Sequence, residues 1–565
     1  MRWIAGLGVF VAALLLGTGA GVARTAQATV AVYPSGTSFT AAGAAPVGST
    51  AGVSLAMPIG GVDDATLLVR GAQHVSIQSP TIDSPLQLKL LFAHFVSVNG
   101  TPTPDALEPW DGAQRATEET NQPVWLQVTV PSTASAGVYH GSVVVSADDT
   151  TTVVPLVVTV FNVRLPALGS TAGALLTAFN VSPQSYGAEV NQLYGITADQ
   201  SLPGLFDFIS QYRISPNNWG HGNPSSSKGY TSSPKWWLDK ANQMVAAVGS
   251  PRRFGSMWIP VSSNRWPKNS YVGGLSPYKP QTWCSYLRSV HGFWQSHGWL
   301  DGSFPYLYAL DEPGAKLFKV VAQQAKAAHA CFAGSHVLVT GNPGPTNKYL
   351  WNGGSDDVDV WAVLASRYYG QYTVPAQTKK HISHAMDSLK SIDAARQRGK
   401  QIWAYTYQSG AHSTPGFAAN EPLSDPRMFV DWAGLEGMSG ILYGEGTTSY
   451  SGPNPLVSND KANGSYVLIY PGRSGPIASA RLEEIREGIE DWEILNVVRQ
   501  SHGQHAVAQL LSSLFSTTAT GAQLACTIGC PLKSSTPYSW PIYSQDATTP
   551  AKLAAMRLAA LTAAS

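Results

Sequence analysis

Phe304-Pro305-Tyr306-Leu307-Tyr308-Ala309-Leu310-Asp311-Glu312-Pro313 is an apolar, aromatic run that ends abruptly on two carboxylates. The run predicts a buried strand over Phe304–Leu310, with the acids at its C-terminal end. The same rhythm of apolar strand, polar loop and amphipathic helix recurs on both sides of it. It predicts strands over Leu175–Val181, Ile214–Trp219, Phe254–Val261, His336–Thr340, Val358–Leu364, Gln401–Tyr407 and Gly440–Tyr443. Helices are predicted between them, over Leu202–Tyr212, Trp236–Val248, Trp283–Gln295, Leu317–Cys331, Ile382–Arg398 and Asp425–Gly434. Eight strands alternating with helices predict an α/β fold, a (β/α)8 barrel of the TIM type, with a doubly wound parallel sheet as the alternative. Barrel enzymes carry their chemistry at the C-terminal ends of the strands, which is where Asp311 and Glu312 fall.

Ahead of this region the rhythm differs. Val124 to Val130 alternates with period two, a turn follows, and Val138–Val145 and Thr152–Val163 read as further strands around the Asp148-Asp149 turn. Short β-branched runs between turn residues predict an antiparallel β-sandwich. The expected division is a signal peptide over 1–28, an accessory sandwich over 29–166, a catalytic barrel over 167–500 and a C-terminal helical extension over 501–565.

Composition narrows the function. Of 565 residues only 13% are charged, about half the usual ~25%, and 36 basic residues nearly cancel 35 acidic ones. A nucleic-acid binder carries a basic patch or stripe, so no nucleic-acid partner is expected. A mean hydropathy of −0.05 argues against a polytopic membrane protein. The 54 Gly, 38 Pro, 17 Trp and 23 Tyr suit a loop-rich protein with aromatic surfaces for a neutral ligand. Arg2, the apolar run Trp3–Leu16 and Ala26-Gln27-Ala28 form the three parts of an export signal. The apolar run is shorter than the ~20 residues of a membrane span, so a secreted or cell-surface protein is expected, with no stable membrane insertion after cleavage.

The four cysteines allow three pairings. Cys284–Cys331 and Cys526–Cys530 are favoured, the second closing a small loop. A zinc site is the weaker alternative, since positions 284 and 331 lack a closely spaced cysteine partner. His381 and His384 are expected on a solvated helix face.

The acid pair admits two readings. One of its members caps the following helix, which Pro313 suits at its first turn, or both act on a substrate. Retaining glycosidases usually set two carboxyls about 5 Å apart on opposite faces of the sugar. Consecutive Cα atoms are only ~3.8 Å apart, so neighbouring side chains do not readily straddle a ring. One can protonate the leaving oxygen while the other orients a group of the substrate itself, such as a 2-acetamido group attacking C1. That is substrate-assisted hydrolysis of an N-acetylhexosamine, and it needs no metal or other cofactor. Glu312 must then hold a proton while Asp311 stays ionised. Trp403, Tyr405 and Tyr407 share one face of the seventh strand by period-two spacing and offer a sugar platform, or else fill the barrel. Trp219 and Tyr443 are further wall candidates.

Pro123-Val124-Trp125 through Gly137-Val138-Tyr139-His140-Gly141, Leu310-Asp311-Glu312-Pro313, Ile402-Trp403-Ala404-Tyr405, and Ser479-Ala480-Arg481-Leu482-Glu483 to Arg486-Glu487-Gly488-Ile489-Glu490-Asp491-Trp492-Glu493 resemble glycoside hydrolase family 123 and its broader relatives. The resemblance spans most of the chain after the signal. It implies a sandwich joined to a (β/α)8 barrel and an exo-β-N-acetylgalactosaminidase acting with retention. It implies Glu312 as general acid/base, Asp311 as the partner of the acetamido nitrogen, and the Tyr405 hydroxyl as the partner of the acetamido oxygen. Arg481, Arg486, Glu490 and Asp491 are expected to be structural, locking their helix to the barrel.

One departure bears on specificity. Relatives carry Tyr-Trp at the end of the eighth strand, whereas this chain has Tyr443-Gly444-Glu445-Gly446. The change removes an indole wall and adds the Glu445 carboxylate, which could bond sugar hydroxyls. A glycosidase of other specificity using Glu445 therefore stands as an alternative. So does a non-catalytic carbohydrate-binding protein of the cell surface. The Ser/Gly-rich stretch 222–233 is expected to form a loop over the site.

Overall fold

The computed structural model describes residues 27–83, 85–217, 254–259, 280–308, 311–313, 318–343, 357–365, 368, 391–406, 415–446, 450, 454–520, 537–543 and 547–565. The signal, Trp219, the 222–233 loop, the predicted helix Trp236–Val248, His381, His384, Tyr407 and the Cys526–Cys530 pair lie outside them. Among the described residues no helix is long and apolar enough to cross a membrane.

The N-terminal region is all strand: β1 (Thr29–Pro34), β2 (Val53–Ile59), β3 (Val62–Arg70), β4 (His74–Ile77), β5 (Thr81–Ile82), β6 (Gln87–Val98), β7 (Thr101–Trp110), β8 (Arg115–Ala116), β9 (Asn121–Thr129), β10 (Gly137–Ala147) and β11 (Thr150–Arg164). They form two sheets, one containing β1-β3-β9-β6-β7 and the other β2-β11-β10-β4-β8. Pairing is antiparallel except between β11 and β2. Leu67, Val69, Val124 and Leu126 from the first sheet meet Leu55, Met57, Val143, Val145 and Val158 from the second in one core. The alternate residues Leu68 and Trp125 belong to a separate core with Ala480. Period two thus sends successive side chains of the first sheet to two different packing partners. That double burial explains why β9 is buried nearly throughout.

The second region holds a parallel sheet of seven strands: β12 (Leu176–Asn180), β13 (Ser256–Trp258), β14 (Phe304–Leu307), β15 (His336–Thr340), β16 (Val360–Leu364), β17 (Gln401–Thr406) and β18 (Gly440–Gly446), in the order β12-β18-β17-β16-β15-β14-β13. Residues 214–217 lie between the two edges. Pro216 bridges Phe179 in parallel, and the Ser256 amide donates to Ser215 Oγ at 3.3 Å. The sheet is therefore a nearly closed parallel barrel. Leu176, Ala178, Phe304, Tyr306, Leu338, Val360, Ala362, Leu364, Trp403, Tyr405 and Leu442 fill its interior. Helices Ala198–Gln211, Pro280–Ser296, Phe318–Cys331 and Asp425–Leu435 fall close to their predicted ranges. The disulfide Cys284–Cys331 ties the helix Pro280–Ser296 to Phe318–Cys331.

A hairpin of β19 (Ile469–Gly472) and β20 (Gly475–Ser479) returns to the first region and pairs with β7. Helix Ala480–Leu510 follows, capped by the Ser479 hydroxyl, which accepts from the Leu482 amide at 3.0 Å. Its residues 480–495 are all buried, because the first sheet, helix Asp425–Leu435 and helix Thr549–Ala564 all pack against it. Its charges reach the expected barrel region, where Arg481 donates to the Phe417, Gly464 and Val467 carbonyls, and also the N-terminal sheet. Arg481 meets Asp105 on β7 at 2.7 Å, Arg486 meets Asp64 on β3 at 3.0 Å, and Glu490 accepts from the Val62 amide at 3.1 Å. These side chains lock the helix to the N-terminal sheet. Asp491 instead ties it to Arg427 and Arg557.

Candidate active site

The parallel strands end together at one mouth. On β17 the inward residues are Trp403 and then Tyr405, while Ile402 and Ala404 face the outer core. A rise of about 3.3 Å per residue sets Tyr405 closer to the mouth than Trp403. On β14 and β15 the same alternation points Phe304 and Tyr306, and Leu338, inward, and brings Tyr308 and Thr340 next on that face.

Asp311 and Glu312 stand at this rim, both exposed, with Pro313 buried beneath them. Asp311 Oδ1 accepts from the Tyr308 hydroxyl and, at 3.0 Å, from the Thr340 hydroxyl. The Glu312 amide donates to the same Thr340 oxygen at 2.6 Å. Glu312 Oε1 accepts from the Tyr405 hydroxyl. Both carboxylates are thus held by hydroxyls from the ends of barrel strands. Burial, with the Asp311 carboxylate next, pushes the Tyr308 phenol well above its ordinary value near 10. It remains a proton donor to Asp311 across the neutral range.

The remaining predicted site residues divide. Trp403 is 0% exposed, packed against Phe304 and Tyr306 inside the barrel. Its Nε1 donates at 3.0 Å to Gln401 Oε1, at the start of β17 and away from the mouth. It fills the barrel and offers no face to a sugar. Tyr443 is likewise no wall. It is 1% exposed, turned outward against Phe179 and Phe417, and its hydroxyl donates to the Ser465 carbonyl at 2.6 Å. Leu442 takes the inward place. Glu445 is described as part of β18, which runs three residues beyond its predicted end. Tyr308 and Thr340 were not singled out from sequence, although the period-two reasoning that selected Tyr405 also reaches them.

Comparisons with known proteins agree with this architecture. The family model for the glycoside hydrolase 123 catalytic domain matches residues 271–498, and that for the glycoside hydrolase 123 N-terminal domain matches residues 94–147. The chain is similar in fold to a family 123 glycoside hydrolase from Clostridium perfringens, whose structure was analysed for glycolipid glycan hydrolysis. The TM-score is 0.64 at 15% identity, covering 95% of this chain and 97% of that one. A GH10 xylanase with a bacterial Ig-like domain from termite gut matches at a TM-score of 0.33 and 11% identity, over 78% of this chain and 99% of that one, too low to bear on the fold. No curated protein sequence matches the chain. The family models for both domains match in the expected order, so the chain carries the domains of glycoside hydrolase family 123, and its end-to-end likeness to a family structure shows the same fold.

Proposed function

We propose that the protein is an exported β-N-acetylhexosaminidase, with N-acetylgalactosamine the favoured sugar, that cleaves with retention through the substrate's own acetamido group. In this reading the nearly closed sheet is a (β/α)8 catalytic barrel over 167–500, the two sheets over 29–166 are an accessory β-sandwich, and 501–565 is a helical extension. One observation carries the proposal: two consecutive carboxylates stand exposed at the barrel mouth, held by the hydroxyls of Tyr308, Thr340 and Tyr405.

Glu312 gives its proton to the glycosidic oxygen as the C1–O bond breaks. The acetamido carbonyl oxygen attacks C1 from the other face, forming an oxazolinium ion. Asp311, ionised, accepts from the acetamido N–H and offsets the positive charge. The Glu312 carboxylate then takes a proton from the water that attacks C1, and the acetamide is restored with the anomeric configuration retained. The Tyr405 hydroxyl, already at the pair, is the donor for the acetamido oxygen. Glycolipid glycans, the subject of the Clostridium perfringens structure, are the first natural substrates to test.

The experiment is turnover of aryl β-N-acetylgalactosaminide, β-N-acetylglucosaminide and β-galactoside by wild type and Glu312→Ala. Cleavage of the acetamido sugars alone, lost in the variant and giving the β-anomer first, supports the proposal. Equal cleavage of the galactoside overturns it and points to Glu445. Binding without turnover makes the protein a carbohydrate-binding module.

A further inference from the structure

Neighbouring side chains of an extended chain point to opposite faces, so consecutive acids do not meet one sugar from one side by default. Here the backbone departs from that default. Glu312 has φ +38°, in the left-handed region that residues with a Cβ avoid. Such conformations persist where the surroundings over-determine them. What surrounds this one is Thr340, whose single hydroxyl accepts from the Glu312 amide at 2.6 Å and donates to Asp311 Oδ1 at 3.0 Å. One oxygen at the end of β15 therefore grips the peptide between the two acids and the first acid's carboxylate at once. Thr340 is 2% exposed, with its backbone fixed by pairing to β16, so it is a rigid anchor. Tyr308 supplies the second grip on Asp311 Oδ1, from just beyond β14. Its oxygen lies 3.4 Å from Thr340 Oγ1.

We propose that Thr340, seconded by Tyr308, is a positioning residue for the hydrolysis, holding the Asp311–Glu312 peptide in its left-handed turn so that both carboxylates address the same substrate. The inference rests on the acid pair being the reacting pair, as proposed above. Neither hydroxyl needs to touch the sugar. Loss of the grip lets Glu312 relax to negative φ, which rotates its carboxylate relative to Asp311 and misplaces the acid without emptying the sugar site.

The test compares wild type, Thr340→Val, Thr340→Ser and Tyr308→Phe on aryl β-N-acetylgalactosaminide, with thermal melting and a crystal structure of Thr340→Val. Val keeps the shape of Thr and removes the hydroxyl. The expected result is a kcat lower by roughly 10- to 100-fold in Thr340→Val, the scale of a hydrogen bond to a charged group. KM and melting temperature should stay near wild type, and Thr340→Ser should restore most of the rate. Tyr308→Phe should fall between wild type and Thr340→Val. In the variant crystal Glu312 should have left positive φ. A wild-type kcat in Thr340→Val, a Ser variant no better than Val, or a Glu312 turn that survives in the crystal each overturns the inference. A wild type that cleaves only sugars lacking the acetamido group defeats the functional reading instead, and the kcat comparison is then made on that sugar.

Discussion

The phenol of Tyr405, on β17, donates a hydrogen bond to the carboxylate of Glu312, 93 residues earlier and just past the end of β14. β15 and β16 separate those two strands in the sheet, so the bond spans the mouth of the barrel and brings both groups to one place.

Tyr405→Phe removes that hydroxyl and leaves the ring, which is only 4% exposed, in its packing. The phenol serves Glu312 directly and is proposed to serve the acetamido oxygen in the transition state. Its loss should lower kcat/KM by roughly 10- to 100-fold, as expected for one hydrogen bond to a charged or developing charge. The melting temperature should hold. Steady-state kinetics on the aryl acetamido sugar decide it, and an undiminished kcat/KM would remove Tyr405 from the site.

Trp403 tests the distinction between barrel filler and sugar platform. A Cβ on Gly440, the partner of Trp403 on the neighbouring strand β18, would lie 2.4 Å from its indole ring, so the indole occupies the space a side chain there would need. Gly440→Ala should destabilise the protein by about 1–3 kcal/mol, the usual cost of overpacking, read as a lower melting temperature or denaturant midpoint. Trp403→Phe should partly rescue it and leave KM for the sugar unchanged. A raised KM with normal stability would return Trp403 to the sugar site.

Which parts were legible follows from the range of each signal. Barrel strands announce themselves locally as apolar runs, and β15 falls on its predicted bounds, His336–Thr340. The acid pair was legible because Asp311 and Glu312 interrupt such a run at its C-terminal end. Period two also placed Trp403 and Tyr405 on one inward face. It does not say how high along the barrel axis a ring stands, however, and Trp403 proved to sit too low. At Tyr443 the phase itself misled, since Leu442 faces in. Thr340 escaped notice because a lone hydroxyl has no composition signal, and its role exists only where the ends of two strands meet. The charges from Arg481 to Glu493 read as structural, locking their helix to the barrel, but nothing local reveals that the N-terminal sheet and two helices enclose it.

Burial of that helix sets a pH dependence. Glu484 is pushed up to about 7 and Glu493 to about 8, in both cases chiefly by burial and against the lowering effect of Arg427 and Arg213 respectively. Asp425, in the helix packed alongside, is pushed up to about 9 by burial and then by Glu421. Asp64, Asp431 and Glu487 shift the same way, again first by burial. Acids whose folded values are raised bind more protons folded than unfolded between their ordinary values of 3.8 or 4.5 and the raised ones. Their stabilising contribution is complete below that window and is lost as pH rises through about 7 to 9. The lowered acids Glu108, Glu118 and Asp359 act oppositely, losing their contribution only in stronger acid. The melting temperature should therefore be highest on the mildly acidic side, near pH 5, and decline steadily toward pH 9, with Glu493→Gln flattening the decline. A melting temperature that rises from pH 5 to 9 would show that these buried acids do not govern stability.

Arg557, on the helix Thr549–Ala564, is 2% exposed and reaches three groups on two other elements. Its Nε donates to Asp491 Oδ1 at 2.6 Å, a terminal nitrogen donates to the Glu487 carbonyl at 2.8 Å, and the other lies 3.2 Å from Asp63 Oδ2. Removing a buried partner leaves its counter-charge stranded, which typically costs about 3–5 kcal/mol, whereas replacing both partners by apolar residues is often neutral. Arg557→Leu should thus lower the denaturant midpoint sharply, and Arg557→Leu combined with Asp491→Leu should recover only part of the loss, because Asp491 also holds Arg427 at 2.7 Å. None of these groups reaches the Asp311–Glu312 mouth, so kcat of the folded fraction should match wild type. A variant that melts normally would show that the terminal helix is not fastened through Arg557. One that melts normally yet loses kcat would connect that helix to the barrel mouth by a route other than these contacts.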